Sequence, residues 1–166
     1  MTYRKFQIAL EATLAMAFSC PVLAEFTGNV VLIADGDTFT AVDEQRRQNY
    51  IHLLGIDAPD LNQPSGEQSR ARLAEMVFNR DVTLDCRKND LYQRKVCAVF
   101  VEGFDVGLEQ VKAGLAWTSP QYAKDQMPEE RESYQAAELQ ARRGRRGLWA
   151  ENNPVPPWKW RALTQR

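Results

Sequence analysis

Residues 28–33 are apolar and largely β-branched, and Asp35-Gly36-Asp37 ends the run in a tight turn. Strand-like alternation resumes over residues 38–42, the charged stretch 43–48 reads as a hairpin loop, and residues 50–56 read as a third strand. Pro59, in the turn Asp57-Ala58-Pro59-Asp60, stops that strand because its ring fixes φ and it has no N–H to give a ladder. From residue 67 to 78 the apolar positions Ala71, Leu73, Ala74, Val77 and Phe78 recur near the helical period. Residues 81–86 and 95–101 read as strands four and five. A second helix is predicted over about 106–115, and a third from 128 or 129 to about 143. Pro128 suits a first turn and Gly144 a stop. Residues 150–166, with Pro154, Pro156 and Pro157, predict an extended tail pinned by Trp158 and Trp160. Five short strands with a helix after the third and more helices behind predict an α+β domain, and the strand count suits a small Greek-key barrel.

The 166 residues allow one domain, and 44% hydrophobic with 26% charged residues excludes a disordered or collagen-like chain. A net charge of −1 provides no molecule-wide field for polyanions, so any nucleic-acid role must rest on a local site. The charge is uneven: residues 142–166 carry seven basic side chains and one acid, Glu151. That basic stretch can touch phosphates or form a solvated helix end.

Residues 1–24 have the order of a secretory signal. Arg4 and Lys5 precede an apolar run interrupted by Glu11, and Val22-Leu23-Ala24 forms a small-residue cleavage site before Glu25. Export to the periplasm or the medium follows if the segment is a signal; an amphipathic N-terminal helix is the alternative. Ala17-Phe18-Ser19 does not suit lipoprotein processing at Cys20, so no membrane anchor is expected. The remaining domain is then 25–166, and we expect a monomer. Cys86 and Cys97 flank the polar stretch between strands four and five, where opposed cysteines can bond in an oxidising compartment or stay reduced as small core residues.

The acidic turns Asp35-Gly36-Asp37-Thr38 and Asp57-Ala58-Pro59-Asp60 are candidate ligands for a hard cation such as calcium, which takes oxygen donors in irregular geometry. Each alone is ordinary turn chemistry. Arg94, in the loop Asp90-Leu91-Tyr92-Gln93-Arg94, can offer a forked guanidinium to phosphate, or simply face water.

The order of these pieces resembles the staphylococcal nuclease (thermonuclease) family. It runs from Ile33-Ala34-Asp35-Gly36-Asp37-Thr38 to Leu53-Leu54-Gly55-Ile56-Asp57-Ala58-Pro59, then 90–94 and Gly114-Leu115-Ala116-Trp117. Arg145-Arg146-Gly147-Leu148-Trp149 and Pro156-Pro157-Trp158-Lys159-Trp160-Arg161 look like the C-terminal signature of its exported bacterial members, and the cysteine pair also looks like theirs. The resemblance implies a five-stranded OB-fold barrel with three helices. It also implies calcium-dependent hydrolysis of DNA and RNA to 3′-phosphate and 5′-hydroxyl ends. By position, Asp37, Asp57 and the Ala58 carbonyl would hold the calcium, with Asp35 and Thr38 supporting them. Arg94 would hold the scissile phosphate, and Tyr92 and Tyr122 would lie along the nucleotide.

Three positions depart from the family pattern. His52 stands where the family has its first active-site arginine, Asp60 where it has the glutamate that acts on the attacking water, and Gln93 where it has a glycine. His52 reads either as a weaker phosphate contact or as an exposed strand residue with no catalytic part. Glu67, at the start of the first helix, is a candidate substitute base. The departures leave a second function open: a barrel that binds, or serves plasmid maintenance or exopolysaccharide production, without useful catalysis.

Overall fold

β1 (Phe26–Ile33), β2 (Thr38–Asp43) and β3 (Gln48–Leu53) form an antiparallel meander in the computed structural model, which describes residues 25–164. The proposed secretory segment, 1–24, lies outside the described residues. β5 (Asp81–Asn89) pairs antiparallel with β1, and β6 (Lys95–Val101) with β5. β6 then lies parallel to β3, from Ile51↔Lys95 to Leu53↔Cys97, and this pairing closes the five strands into a barrel. Closure gives each long strand two partners and removes the open edges that a flat sheet would leave. The α+β domain expected from the strand pattern and the OB-like barrel that the family resemblance implies are therefore both present.

Alternation along the strands turns Val30, Phe39, Ala41, Ile51, Leu53, Leu84 and Val99 into one core. α1 (Gly66–Val77) adds Leu73 and Val77 to it, α2 (Val106–Lys112) adds Val106 and Val111, and α4 (Pro128–Arg143) adds Tyr134 and Ala137. Asp105 closes the short strand β7 (Phe104–Asp105) and caps α2 by accepting the Leu108 N–H. Among the described residues, no helix is long and apolar enough to cross a membrane. Cys86 and Cys97 face each other across β5 and β6 and are joined by a disulfide bond.

Two expectations are corrected. The third strand does not continue to residue 56: Gly55 sits at φ 81°, a left-handed conformation that no strand can carry through. The chain turns there, and β4 (Ile56–Asp57) leaves the barrel to pair antiparallel with β8 (Trp117–Thr118). Residues 150–166 are also not an extended tail. A 3₁₀ turn (Gly147–Ala150) leads to a short irregular stretch and then α5 (Pro157–Thr164). Pro157 occupies the first helical turn, where its fixed φ starts a helix and its missing N–H costs nothing. A further short helix, α3 (Pro120–Ala123), precedes α4, so among the described residues five α-helices flank the barrel where three were expected.

Much of the C-terminal basic cluster is used in packing. The Arg142 guanidinium lies 3.8 Å from the ring centre of Trp149 and 4.9 Å from that of Trp117. Arg145 donates to the Ala150 carbonyl and Arg146 to that of Lys112. Trp117 also meets Trp149 edge-on at 4.3 Å and Trp158 of α5 at 6.0 Å. α5 is thereby attached beside β4 and β8.

Candidate active site

The turn between β1 and β2 is fastened before any ligand arrives. Asp35 Oδ1 accepts the Asp37 N–H at 3.0 Å, and the Gly36 carbonyl accepts from Gln110 at 2.7 Å. A Cβ at Gly36 would lie 1.9 Å from Ser69 Oγ and 2.8 Å from the Ala58 Cβ, so only glycine lets this turn press against α1 and the second acidic turn. Asp37 joins the two turns: its Oδ2 accepts the Ala58 N–H at 2.5 Å and its Oδ1 the Thr38 hydroxyl at 2.8 Å.

Arg94 enters from the β5–β6 loop. Asp90 Oδ1 accepts the N–H groups of Tyr92 and Arg94, and Asp90 Oδ2 accepts Arg94 Nε at 2.7 Å. The other edge of the guanidinium donates to Thr38 Oγ1 at 3.0 Å and reaches the Tyr122 hydroxyl at 3.5 Å. Gln93 takes φ 62°, so the glycine conformation is kept by a residue with a Cβ. The loop shape survives, at a strain of about 1–2 kcal/mol.

His52 is buried, which corrects the reading of it as an exposed strand residue. Its Nδ1 lies 3.1 Å from Asp37 Oδ1 and 3.3 Å from Thr38 Oγ1, and its ring centre lies 4.4 Å from that of Tyr122. Nε2 is shut away from solvent with no hydrogen-bond partner among the described residues. His52 thus supports Asp37 from behind. Asp57 and Asp60 share a partner that the motif reading missed: Arg161 of α5 donates to Asp57 Oδ2 at 2.7 Å and to Asp60 Oδ1 at 2.8 Å.

These groups surround one cleft of about 480 Å³, lined by Asp35, Asp37, His52, Asp57, Ala58, Asp60, Tyr92, Arg94 and Tyr122, with Trp158 and Arg161 from α5. Thr38 lies beneath it, bonded to both Asp37 and Arg94. Every site residue singled out by motif is therefore in or under a single depression. Glu67 is not: it pairs with Arg70 at 3.5 Å on an exposed face of α1. Arg161 and Trp158 carried no spacing signal, because they come from more than 100 residues beyond Asp57; their only trace was the proline–tryptophan signature.

The cleft holds more negative charge than its arginines offset. Burial first, and then the charge of Asp37, pushes the Asp35 carboxyl up to about 7. The same two causes push Asp57 up to about 6, against the pull of Arg161. Burial also acts to raise Asp37, but it is outweighed by His52, the Ala58 N–H and the Thr38 hydroxyl, which hold that carboxyl below the usual range. The donors facing the cleft are hard oxygens, and crowded carboxylates of this kind fit a hard cation. No group of three or more His, Cys, Asp or Glu side chains forms a compact cage among the described residues. Asp37 and Asp57, with Asp35 and Asp60 beside them, are the lining carboxylates that could hold one, with the rest of a six- to eight-oxygen shell left to water and substrate.

These shifts give a signed expectation for the cation-free protein. Between about pH 4 and pH 7 the folded state keeps protons on Asp35 and Asp57 that the unfolded chain has released, so stability falls as pH rises across that window. In chelator, the thermal midpoint should drop from pH 5 to pH 8, and Asp35→Asn should flatten the drop. Equal slopes in the two proteins would assign the dependence elsewhere.

A closed five-stranded barrel that gathers two acidic turns and a clamped arginine at one cleft is an SNase-like OB-fold protein. The sequence profile described as Staphylococcal nuclease homologue matches residues 50–151. Similar proteins include an uncharacterized endonuclease of Haemophilus influenzae, 36% identical over 135 residues, covering 81% of this chain and 72% of that one. An uncharacterized endonuclease of Escherichia coli is 37% identical over 146 residues, covering 87% and 91% of the two chains. A micrococcal nuclease of Shigella flexneri is 33% identical over 166 residues, covering 95% and 92%. The chain belongs to the staphylococcal nuclease family.

Proposed function

We propose that this protein is an exported, calcium-dependent nuclease that hydrolyses DNA and RNA phosphodiester bonds to 3′-phosphate and 5′-hydroxyl ends. The observation that carries the reading is the convergence of Asp37, Asp57 and Arg94, from three separate segments, on one cleft. The Cys86–Cys97 bond supports an oxidising compartment and hence export.

Asp37, Asp57 and the Ala58 carbonyl would hold the calcium, which when bound supplies charge that polarises the phosphoryl oxygens. Arg94 binds the scissile phosphate. Its Nε is tied to Asp90, so the guanidinium is oriented in advance and stabilises negative charge as it builds. Asp60, bonded to Arg161 through Oδ1, takes the proton of the attacking water on Oδ2. Water attacks phosphorus in line with the departing 5′-oxygen, the P–O5′ bond breaks, and solvent protonates the leaving oxygen. Tyr92 and Tyr122 flank the nucleotide. His52 acts on Asp37 and offers the phosphate no donor, because its Nε2 is closed off. Compared with a site that has a second phosphate-binding donor, this costs about 2.7–4 kcal/mol of transition-state stabilisation.

That enclosed histidine also favours a second reading, a barrel that binds single-stranded nucleic acid with little turnover. A nuclease assay on single-stranded DNA and RNA, in calcium and in chelator, separates the two. Degradation should require calcium and fall at least ~10²-fold in folded Asp37→Asn. Binding without degradation by the wild-type protein would select the second reading.

A further inference from the structure

α5 reaches the cleft through Arg161, whose two terminal nitrogens divide between Asp57 and Asp60 across sequence separations of 104 and 101. One rigid planar fork thereby sets the relative directions of a carboxylate on β4 and a carboxylate in the turn after it. A lysine ammonium, a single point charge, cannot do this. The charge arrangement isolates Arg161 further. Arg94, the other guanidinium lining the cleft, is bonded to Asp90, which leaves Arg161 as the cation beside Asp57 and Asp60.

The helix is held in place from the same side. Asp57 is the ladder partner of Trp117, whose indole also meets Trp158, three residues before Arg161 on α5. The backbone that carries Asp57 and the helix that carries its partner thus meet at one residue, Trp117. Cleft, ladder and C-terminal helix form a closed loop of contacts, so α5 is part of the site and does more than trail from the barrel.

We propose that Arg161 is a positioning residue: it orients Asp57 and Asp60 and makes docking of the C-terminal helix a condition for turnover. The proposal rests on the nuclease reading of the cleft. Because Arg161 bonds Asp57 Oδ2, it also competes with a cation for that oxygen. Removing it should therefore tighten calcium binding while slowing the reaction, a pair of opposite signs that simple destabilisation does not produce.

The test uses the full chain as wild type, Arg161→Ala and Arg161→Lys. Turnover of single-stranded DNA is measured at saturating calcium, calcium affinity by calorimetry in the absence of DNA, and unfolding by heat. Arg161→Ala should lose ~10–10²-fold in kcat, since misplacing a reacting group by about 1 Å has that consequence. KM should change little, and calcium should bind roughly 3–10-fold more tightly, because a like charge beside the cation is gone. Arg161→Lys should return calcium affinity toward wild type without returning kcat, and added methylguanidinium should recover part of the turnover of Arg161→Ala. Should Arg161→Ala fail to fold, the lysine variant tests the same point through its low kcat. Wild-type turnover in Arg161→Ala, or full turnover in Arg161→Lys, overturns the proposal while the nuclease reading stands. A wild-type protein that shows no calcium-stimulated cleavage defeats the nuclease reading and this proposal together.

Discussion

Arg94→Ala should lower the turnover of single-stranded DNA by roughly 10²–10³-fold and leave the barrel folded. The guanidinium is already oriented by three partners, Asp90, Thr38 and Tyr122. Its proposed contribution is to stabilise the charge that builds on the phosphate. Removal leaves the backbone bonds of the loop in place. Asp90 Oδ1 still accepts the N–H groups of residues 92 and 94, so the loop keeps its shape. The Arg94–Asp90 ion pair is half-buried, so its loss should lower the thermal midpoint by more than the ~1 kcal/mol of an exposed pair, without unfolding the domain. Arg94→Lys should recover only a small part of the loss, because an ammonium lacks the planar fork that faces Asp90, Thr38 and a phosphate in fixed directions. The measurement is kcat beside the thermal midpoint. A variant within threefold of wild type would remove Arg94 from the reaction.

The largest effect on stability should come from opening the Cys86–Cys97 bond. The two cysteines are 11 residues apart in sequence, and a cross-link closing a loop of that order restricts the unfolded chain by about 2–4 kcal/mol. The location adds weight to that figure. Cys97 is also the last residue of the parallel β3–β6 pairing, opposite Leu53, and its carbonyl accepts the Leu54 N–H. The bond therefore secures the strand that closes the barrel. With 1 kcal/mol equal to about 2–4 °C in a domain of this size, the double variant Cys86→Ser, Cys97→Ser should melt roughly 5–15 °C lower. Wild-type protein unfolded in reductant should show the same drop. Coincident melting curves with and without reductant would show that the unfolded chain gains nothing from being released.

Arg161 shows why part of the site could not be read in advance. The acidic turns were legible because a turn is a local device: Asp35-Gly36-Asp37 and Asp57-Ala58-Pro59 advertise themselves through residue types that few other conformations use. Arg94 was legible by its place in a motif. His52 was visible as a departure, yet its burial and its contact with Asp37 depend on which face β3 turns inward and on Tyr122 covering it. The role of Pro157 was misread because proline ends one helix as readily as it begins another. What decided was the stretch after it, which packs Trp158 against Trp117.

The chain order by itself determined the five long strands, the principal helices, the two carboxylate turns and the cysteine hairpin, since each depends on residues within a few positions of one another. Folding in three dimensions decided the rest. It decided that Gly55 would divert β4 to Trp117, that His52 would be enclosed, and that a helix at the far end of the chain would return to hold Asp57 and Asp60. The reason is physical: a backbone preference acts over a few bonds and is written locally. A contact between residues a hundred positions apart exists only once the barrel has closed and brought both ends to one face.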